Sequence, residues 1–373
     1  MEAADKTTYQ AQLFGNRLKK KYKELRKWAR KNRISSYRLY DRDIPEVPVS
    51  FDLYEFLPSD CGTPIETARF LSEQNARLSA NDITAEREQK ERTYGVLYLY
   101  ERPYEKDQTE EEAWLDTMAQ TAADVLGIPK AQIVKKMRKH QKGQNQYEKN
   151  EQDDYAITGL TQEQGQIFKI DLTSYLDTGL FFDHRPLRST IRDTAGKKSV
   201  LNLFCYTGSF SVYAAEGNAK KVESVDMSNT YLNWAKDNMK SNGFDDKNKY
   251  IFTRADCIQF LEEKAASAEP EDRYDLIILD PPTFSNSKNT QNVLDINRQW
   301  PELVKNCLNI LTPGGTLYFS TNSERLKMDR ALLPQANNNN CTIIMSDVTS
   351  ETLPKDFEGT KCHRCWRFDL GKL

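Results

Sequence analysis

The residues best placed to do chemistry are Asp280-Pro281-Pro282-Thr283-Phe284, which close the apolar run Tyr274-Asp275-Leu276-Ile277-Ile278-Leu279. That run is short, rich in branched side chains and apolar on both parities, as in a strand buried on both faces of a parallel sheet. In open α/β sheets, ligands sit beyond the carboxyl ends of the strands. A buried strand that delivers a carboxylate, a rigid proline turn and a flat ring is therefore a candidate active site. Asp-Pro-Pro also makes ordinary turns, so the flanking sequence decides.

A second constellation precedes it. After the strand Val200–Cys205 comes Tyr206-Thr207-Gly208-Ser209, opening a helix. A glycine there lets backbone approach an anion, and the helix N-terminus supplies free N–H groups. Asp226 ends the next strand, 18 positions after Gly208 (208 to 226), a spacing suited to hydrogen bonding with ribose hydroxyls. Asp256 follows the third strand, within reach of an adenine amino group. No GxGxxG is present, which counts against a nicotinamide or flavin cofactor. Each feature has a plain alternative: Gly208 as a turn, Asp226 with Ser228 as helix capping. Their recurrence at successive strand ends of one sheet favours a nucleotide-like ligand.

The elements that must hold these residues alternate regularly. From Ser199 the pattern predicts strands at Val200–Cys205, Lys221–Asp226, Tyr250–Arg254, Tyr274–Leu279, Thr316–Thr321, Cys341–Val348 and Cys362–Phe368. Helices are expected at Ser209–Glu216, from Ser228 to about Asn242, at Cys257–Ala266 and at Leu294–Leu311, the last stopped by Pro313-Gly314-Gly315. Seven strands with crossover helices imply a doubly wound α/β sheet.

The first half is less regular. Residues 1–34 read as a helix with Leu13, Phe14, Leu18, Tyr22, Leu25, Trp28 and Ala29 on one stripe. Its other face carries Arg17, Lys19, Lys20, Lys21, Lys23, Arg26, Lys27, Arg30, Lys31 and Arg33 against one acid, Glu24. This is either a solvated face or a surface that tracks phosphates. Residues 35–175 read as a smaller α+β domain, with strands in Tyr37–Leu57, 93–101, from 131 and at 166–172, and a helix over 111–126. Residues 59–92 are polar, lack a long apolar stripe and read as an inserted excursion. Lys135, Lys136, Arg138, Lys139 and Lys142 lie in a basic, amide-rich stretch that suits contact with RNA or, more plainly, a solvated hairpin tip. The sheet domain is expected over 176–373.

Composition narrows the class. The chain has 373 residues, a net charge of −2, 29% charged and 38% hydrophobic residues, a globular composition with room for two domains. No apolar run approaches the ~20 residues of a membrane span, and the polar N-terminus lacks the apolar core of a secretory signal. Seven scattered cysteines suggest a reduced cytoplasmic chain. Near-neutral net charge is an average over segregated charges.

Together, Asn202-Leu203-Phe204-Cys205-Tyr206-Thr207-Gly208-Ser209-Phe210, Val225-Asp226-Met227-Ser228, Ala255-Asp256-Cys257 and Asp280-Pro281-Pro282-Thr283-Phe284-Ser285-Asn286-Ser287-Lys288 resemble the class I S-adenosylmethionine domain of bacterial large-subunit rRNA guanine methyltransferases. The resemblance is to the guanine-N7 enzymes of 23S rRNA, found in many bacteria as the C-terminal half of a bifunctional protein. It extends to Asn16-Arg17-Leu18 with Trp28-Ala29-Arg30, Tyr37-Arg38-Leu39-Tyr40-Asp41, Gln141-Lys142-Gly143 and Asp177-Thr178-Gly179-Leu180-Phe181 with Asp183-His184-Arg185. It covers nearly everything except residues 59–92, so the chain looks like a stand-alone version of that half. The resemblance implies a sheet whose last strand is antiparallel and S-adenosyl-L-methionine as cofactor. It places Phe204, Tyr206, Thr207 and Gly208 by the methionine end, Asp226 and Met227 by the ribose, and Asp256 with the Cys257 N–H by adenine. Asp280, Pro281, Pro282 and Phe284 would meet the target base, and the basic helix would bind 23S rRNA, free or in a precursor particle.

Absences refine this expectation. Methylation at cytosine carbon-5 needs a covalent cysteine, which look-alike enzymes carry after the fifth strand; here that place reads Ser320-Thr321-Asn322-Ser323. Guanine N7 has a free lone pair and needs no base, so positioning and a carboxylate near the developing charge suffice. Phe284 would stack on the flipped-out base. Guanine N2 is the alternative acceptor, and a non-catalytic RNA-binding protein on the same fold is the alternative class. Lys288 and Arg298 are further phosphate candidates. Cys362-His363-Arg364-Cys365 lacks a second ligand pair for zinc, so no metal is expected and a structural role is assigned. His184 is expected to cap or pack at its helix.

Overall fold

The apolar stripe of the N-terminal segment finds its partner across the sheet's connecting helix. The computed structural model describes residues 3–100, 107–138, 156–267, 269, 272–285 and 294–371. It divides the chain into two compact units, Met1–Phe182 and Asp183–Leu373. In the first, α1 (Ala3–Lys31) buries Phe14, Leu18, Leu25 and Ala29. They join one core with Trp114, Met118 and Ala122 of a later helix, Gln108–Leu126. A Cβ on Gly15 would lie 2.9 Å from Thr121 Cγ2, so the two helices approach closely only because that position is glycine. The helix expected to stand apart is therefore part of this unit's core.

The sheet beneath is four-stranded, in the order β1 (Ser36–Asp41), β2 (Val49–Glu55), β3 (Thr93–Tyr100), β4 (Ile133–Arg138). The first two pairings are antiparallel and the last parallel, so the crossover helix α4 (Gln108–Leu126) must link β3 to β4. Between β2 and β3 the polar segment 59–92 forms α2 (Pro64–Ser79) and α3 (Ile83–Glu91). Polar contacts hold them. Thr63 and Glu66 form a reciprocal cap, Arg77 bridges Asp82 and Glu88, and Gln74 and Gln89 donate to Glu55. That is why no apolar stripe announces them.

A hairpin, β5 (Thr158–Glu163) with β6 (Gln166–Asp171), turns at Gln164-Gly165. Only its second strand has an apolar pattern; β5 reads Thr-Gly-Leu-Thr-Gln-Glu. The unit runs to Phe182 rather than to the expected 175. Tyr54 bonds Thr178 Oγ1 at 2.8 Å and packs its ring 5.3 Å from Phe182, and Lys136 Nζ donates to the carbonyls of Tyr175 and Leu176.

The second unit opens with α5 (Arg185–Thr194) and continues β7 (Ser199–Leu203), α6 (Ser209–Glu216), β8 (Lys221–Asp226), α7 (Asn229–Ser241), β9 (Tyr250–Arg254), α8 (Cys257–Ala266) and β10 (Tyr274–Leu279). A two-residue ladder follows, β11 (Phe284–Ser285) with β12 (Leu294–Asp295). Then come α9 (Ile296–Asn309), β13 (Leu311–Thr321), β14 (Ile343–Asp347), α10 (Thr349–Thr352) and β15 (Arg364–Leu370). The seven-stranded sheet has the order β14-β15-β13-β10-β7-β8-β9. Strands β9, β8, β7, β10 and β13 are parallel, and β15 runs antiparallel between β13 and β14. Residues Leu276–Leu279 have no exposed surface.

Among the boundaries that differ from expectation, two change which element a residue joins. Asp295 accepts from Asn297 N at 3.1 Å and caps α9, so Leu294 and Asp295 belong to a strand pair instead of the helix. Pro313-Gly314-Gly315 do not end that helix; they form a bulge inside β13, where the register against β10 jumps from Tyr274–Leu311 to Leu276–Thr316. Among the described residues no helix is long and apolar enough to cross a membrane.

One buried ion pair anchors the start of α5. Arg185 Nη1 lies 2.8 Å from Asp356 Oδ1, with side chains 2% and 0% exposed. Removing one partner of such a pair leaves a charge in the core. Arg185→Met is expected to destabilise the second unit by about 3–5 kcal/mol, read as a lower urea midpoint with an unchanged m-value.

Candidate active site

Parallel pairing puts the carboxyl ends of β7, β8, β9 and β10 along one edge of the sheet. The order reverses there: β8 and β9 lie on one side of β7, β10 and β13 on the other. Such a switch point leaves a crevice for ligands.

The loop after β7 is unusual in backbone. Phe204, Tyr206 and Gly208 have φ of 54°, 51° and 74°, the left-handed region that non-glycine residues seldom adopt. The neighbours hold it. Phe204 N donates to Cys257 Sγ at 3.3 Å, Cys205 N to Val225 O at 3.0 Å, and Tyr206 N to Asp226 Oδ2 at 3.0 Å. Thr207 is buried and its carbonyl accepts from Asn238 Nδ2 at 2.9 Å. A Cβ on Gly208 would meet Ala235 Cβ at 2.7 Å, so this glycine serves both its φ and the contact with α7.

Asp226 binds the loop on both sides: besides Tyr206 N it accepts from Ser228 N at 2.8 Å. Ser228 itself caps α7. Burial pushes the Asp226 carboxyl up to about 6, against the hydrogen bonds from Ser228 and Tyr206 that lower it. The backbone N–H bonds from Ser228, Tyr206 and Met227 still leave the carboxylate acceptor capacity, so Asp226 fits a ribose diol. Met227 is half-buried beside it. Asp256 caps α8, accepting from Ile258 N and Gln259 N; the cap uses one oxygen, Oδ1. Cys257 is buried, and burial raises its thiol well above the ordinary value. The donors, acceptors and strained loop at this switch point fit a nucleoside cofactor.

At β10 the expected group is together. The Asp280 side chain is 25% exposed, Pro281 is buried, Pro282 and Thr283 are half-buried, and Phe284 is 48% exposed. Thr283 Oγ1 bonds Asn322 Oδ1, and Phe284 pairs across to Asp295. The turn is thus tied to both β13 and α9.

His184 stands at the N-cap position of α5 and packs there, as expected, buried against Phe210 and His363. Its side chain makes no cap bond. Its Nε2 lies 2.7 Å from Ser320 Oγ and 3.5 Å from Asp280 Oδ1. Burial lowers its basicity, but Asp280 and Asp183 outweigh burial and raise it to about 9. Two of the chain's three histidines stack here: the His184 and His363 rings are 4.5 Å apart at 12°. Asp183, His184 and His363 have ligand atoms within 4.8 Å of one another, a spacing a metal could use. Hydrogen bonding accounts for it: Asp183 Oδ2 lies 3.0 Å from His363 Nδ1, and His363 Nε2 3.0 Å from Thr352 Oγ1. His184 and His363 lie 179 positions apart in the sequence (184 to 363), so only the scarcity of histidine pointed to them.

No nucleophilic thiol faces Asp280. Cys365 lies opposite Ser320 in the β13–β15 ladder, but it is fully buried, and burial with the neighbouring Asp280 pushes its thiol well up. Cys362 is half-buried and sits by His363, outside any four-ligand arrangement among the described residues.

The basic residues divide. Lys19, Lys20, Lys23, Arg26, Lys27, Arg30, Lys31 and Arg33 are exposed on α1 and the residues just after it, while Lys21 is half-buried. Arg17 is paired with Asp43 at 2.5 Å, and Lys135 with Asp116. Lys136 is withdrawn from solvent: it is buried and its ammonium donates to two carbonyls. The side chain of Arg138, and Lys139, Lys142 and Lys288, lie outside the described residues. Arg298 is 87% exposed, 3.5 Å from Asp295.

Comparison with known proteins agrees with the geometry. Residues 108–351 match the family model of S-adenosylmethionine-dependent methyltransferases. The ribosomal RNA large subunit methyltransferase K of Neisseria meningitidis is 39% identical over 355 residues, 95% of this chain and 86% of that protein. The methyltransferase K/L of Magnetococcus marinus is 38% identical over 96% of this chain. The chain spans about two fifths of that longer relative, 43% of its length. In fold, a SAM-dependent methyltransferase from Streptococcus mutans superposes with a TM-score of 0.64 at 18% identity over 96% of this chain and 81% of that one. A structure of a methyltransferase complexed with SAH gives the same TM-score at 19% identity, again over 96% and 81% of the two chains. Its sheet order, its site and its relatives place this chain in the S-adenosylmethionine-dependent methyltransferases, in the family of the ribosomal RNA large subunit methyltransferases K and K/L.

Proposed function

We propose that this enzyme methylates a guanine of 23S rRNA at ring N7, without a covalent intermediate. The observation that carries the reading is the Asp280 carboxylate, part-exposed at the end of the buried run Leu276–Leu279, next to an exposed Phe284 and with the Cys365 thiol buried. The names of the relatives support RNA as the substrate class. When bound, S-adenosyl-L-methionine supplies the methyl group as a sulfonium electrophile. Asp226 and Met227 hold the ribose, Asp256 and the Cys257 N–H hold adenine, and the Phe204–Gly208 loop lies along the methionine end.

The chain's own residues do the rest by positioning. Pro281 and Pro282 fix the turn, and Phe284 offers a face on which an extruded base stacks. Asp280 faces the imidazole edge, where positive charge accumulates as N7 is alkylated. A preoriented carboxylate stabilises that charge, and no proton has to leave. At guanine N2 a proton must be lost, and the same carboxylate would accept the N–H.

The deciding experiment is nucleoside mass spectrometry of large-subunit rRNA from cells with the gene, without it, and complemented by Asp280→Ala. Selective loss of 7-methylguanosine in the second and third is expected. Loss of N2-methylguanosine instead moves the acceptor to the amine, and unchanged rRNA removes the substrate class. In vitro, Asp280→Ala is expected to lower kcat by at least about 10²-fold with RNA affinity nearly unchanged.

The exposed cations of α1 extend the reading to RNA binding. Replacing Lys19, Lys20 and Lys23 with glutamine is expected to weaken RNA binding and to reduce the slope of log affinity against log salt by about 2, at ~0.7 per lost contact to single-stranded RNA. An unchanged slope returns the helix to a solvated face.

Asp226 gives a pH signature. Its carboxyl sits at about 6, and the ionised form is the one that accepts two ribose hydroxyls. Cofactor affinity is therefore expected to hold above pH 6 and to fall as pH drops through it, measured by calorimetry with S-adenosylhomocysteine. Asp226→Asn removes this dependence.

A further inference from the structure

The residue beside the proposed catalytic carboxylate is held more rigidly than the carboxylate itself. His184 is 6% exposed, its ring stacked on His363 and edge-on to Phe210 at 5.8 Å. Its Nε2 reaches Ser320 Oγ at 2.7 Å and Asp280 Oδ1 at 3.5 Å, and its Nδ1 is 3.4 Å from Asp183 Oδ1. Asp183 in turn is clamped by His363, which Thr352 holds from the far side. Ser320 of β13, Asp280 after β10, Phe210 of α6 and His363 before β15 thus all meet one imidazole, and α10 holds His363 in turn.

We propose that His184 is a positioning residue for methyl transfer: through Nε2 it fixes the direction of the Asp280 carboxyl, and through Asp183 it is itself fixed by His363. The proposal rests on the reading of Asp280 given above. His184 does not reach the base; it is buried behind the carboxylate.

The surrounding charges say in which state it works. Asp183 and Asp280 face it as carboxylates, Arg188 of α5 opposes its charge, His363 stacks on it, and Cys365 opposite Ser320 is a buried thiol. Burial would raise the Asp183 carboxyl, but His184 and His363 hold it well below the usual range. With His184 raised to about 9, the imidazole at neutral pH is a cation between two carboxylates: its Nε2–H bonds Ser320 Oγ, and Asp280 Oδ1 lies 3.5 Å away as its charge partner. Above that value the ring loses its charge, and with it the attraction that holds the Asp280 carboxyl in place. Misplacement of about 1 Å at a reacting centre can cost 10²-fold in rate.

The test uses the full-length enzyme on its rRNA substrate, scoring whichever methylated guanosine forms, so the result stands apart from the N7 assignment. His184→Ala is expected to lower kcat about 10²-fold, with the Kd for S-adenosylhomocysteine and the KM for RNA within twofold of wild type. His184→Gln, whose amide still donates but does not titrate, is expected to recover most of kcat and to abolish the fall in kcat on the alkaline side of pH 9. The double variant His184→Ala/Asp280→Ala is expected to be no slower than Asp280→Ala alone, since two residues that act as a unit do not multiply. If His184→Ala does not fold, the His184→Gln pH profile and the His184→Gln/Asp280→Ala pair carry the test. Multiplicative losses in the double variant, or an alkaline limb that persists unchanged in His184→Gln, overturn the proposal.

Discussion

A carboxylate can wait in a defined direction at the edge of a sheet only if the strand beneath it cannot move. β10 supplies that constraint. Its four residues Leu276–Leu279 are buried on both faces, paired in parallel with β7 on one side and β13 on the other. Burying a leucine or isoleucine side chain contributes roughly 1.5–3 kcal/mol each, so the strand is fixed far more firmly than the loop it feeds. Everything chemically interesting in this unit is an outgrowth of that fixed line. Asp280 leaves its end, Pro281 and Pro282 remove backbone freedom from the turn, and Thr283 ties the turn to Asn322 beyond β13.

The neighbouring strands repeat the device with different chemistry. At β7 the loop is strained into left-handed backbone at Phe204 and Tyr206, and Asp226 at the end of β8 holds Tyr206 N there. The strain is sustained by bonds from the ends of the neighbouring strands, Asp226, Val225 and Cys257. Burial works on the acids and thiols in one direction, disfavouring charge. Asp226 rises to about 6, and Cys205, Cys257 and Cys365 are all pushed well up. A buried thiol that stays protonated is a poor nucleophile.

The first unit follows another logic. α1 gives its apolar stripe to the core and keeps eight cations in solvent on itself and the residues just after it, from Lys19 to Arg33. Not every basic residue joins that surface. Lys136 ends between two carbonyls, Arg17 against Asp43, and Arg38 between Asp41 and Asp52. A cation buried against its own partners, as Lys136 is, is not presented to a phosphate.

Periodicity by itself determined most of the second unit. The helices Ser209–Glu216 and Cys257–Ala266 and the strands Lys221–Asp226, Tyr250–Arg254 and Tyr274–Leu279 have the ends their residues imply, because caps, glycines and apolar runs are local signals. The acids at the strand ends were legible for the same reason. What local pattern could not carry was decided by tertiary structure. The helices of 59–92 rest on polar bonds to Glu55, and the strand β5 has no apolar face of its own. Lys136 is turned inward by contacts some 40 residues away. Above all, His184 meets Asp280, Ser320 and His363 through pairings that only the folded sheet creates. A sequence states which side chains are present and which local shape each segment prefers; which charges face each other is set when distant strands pack, and in this site that is where the electrostatics are made.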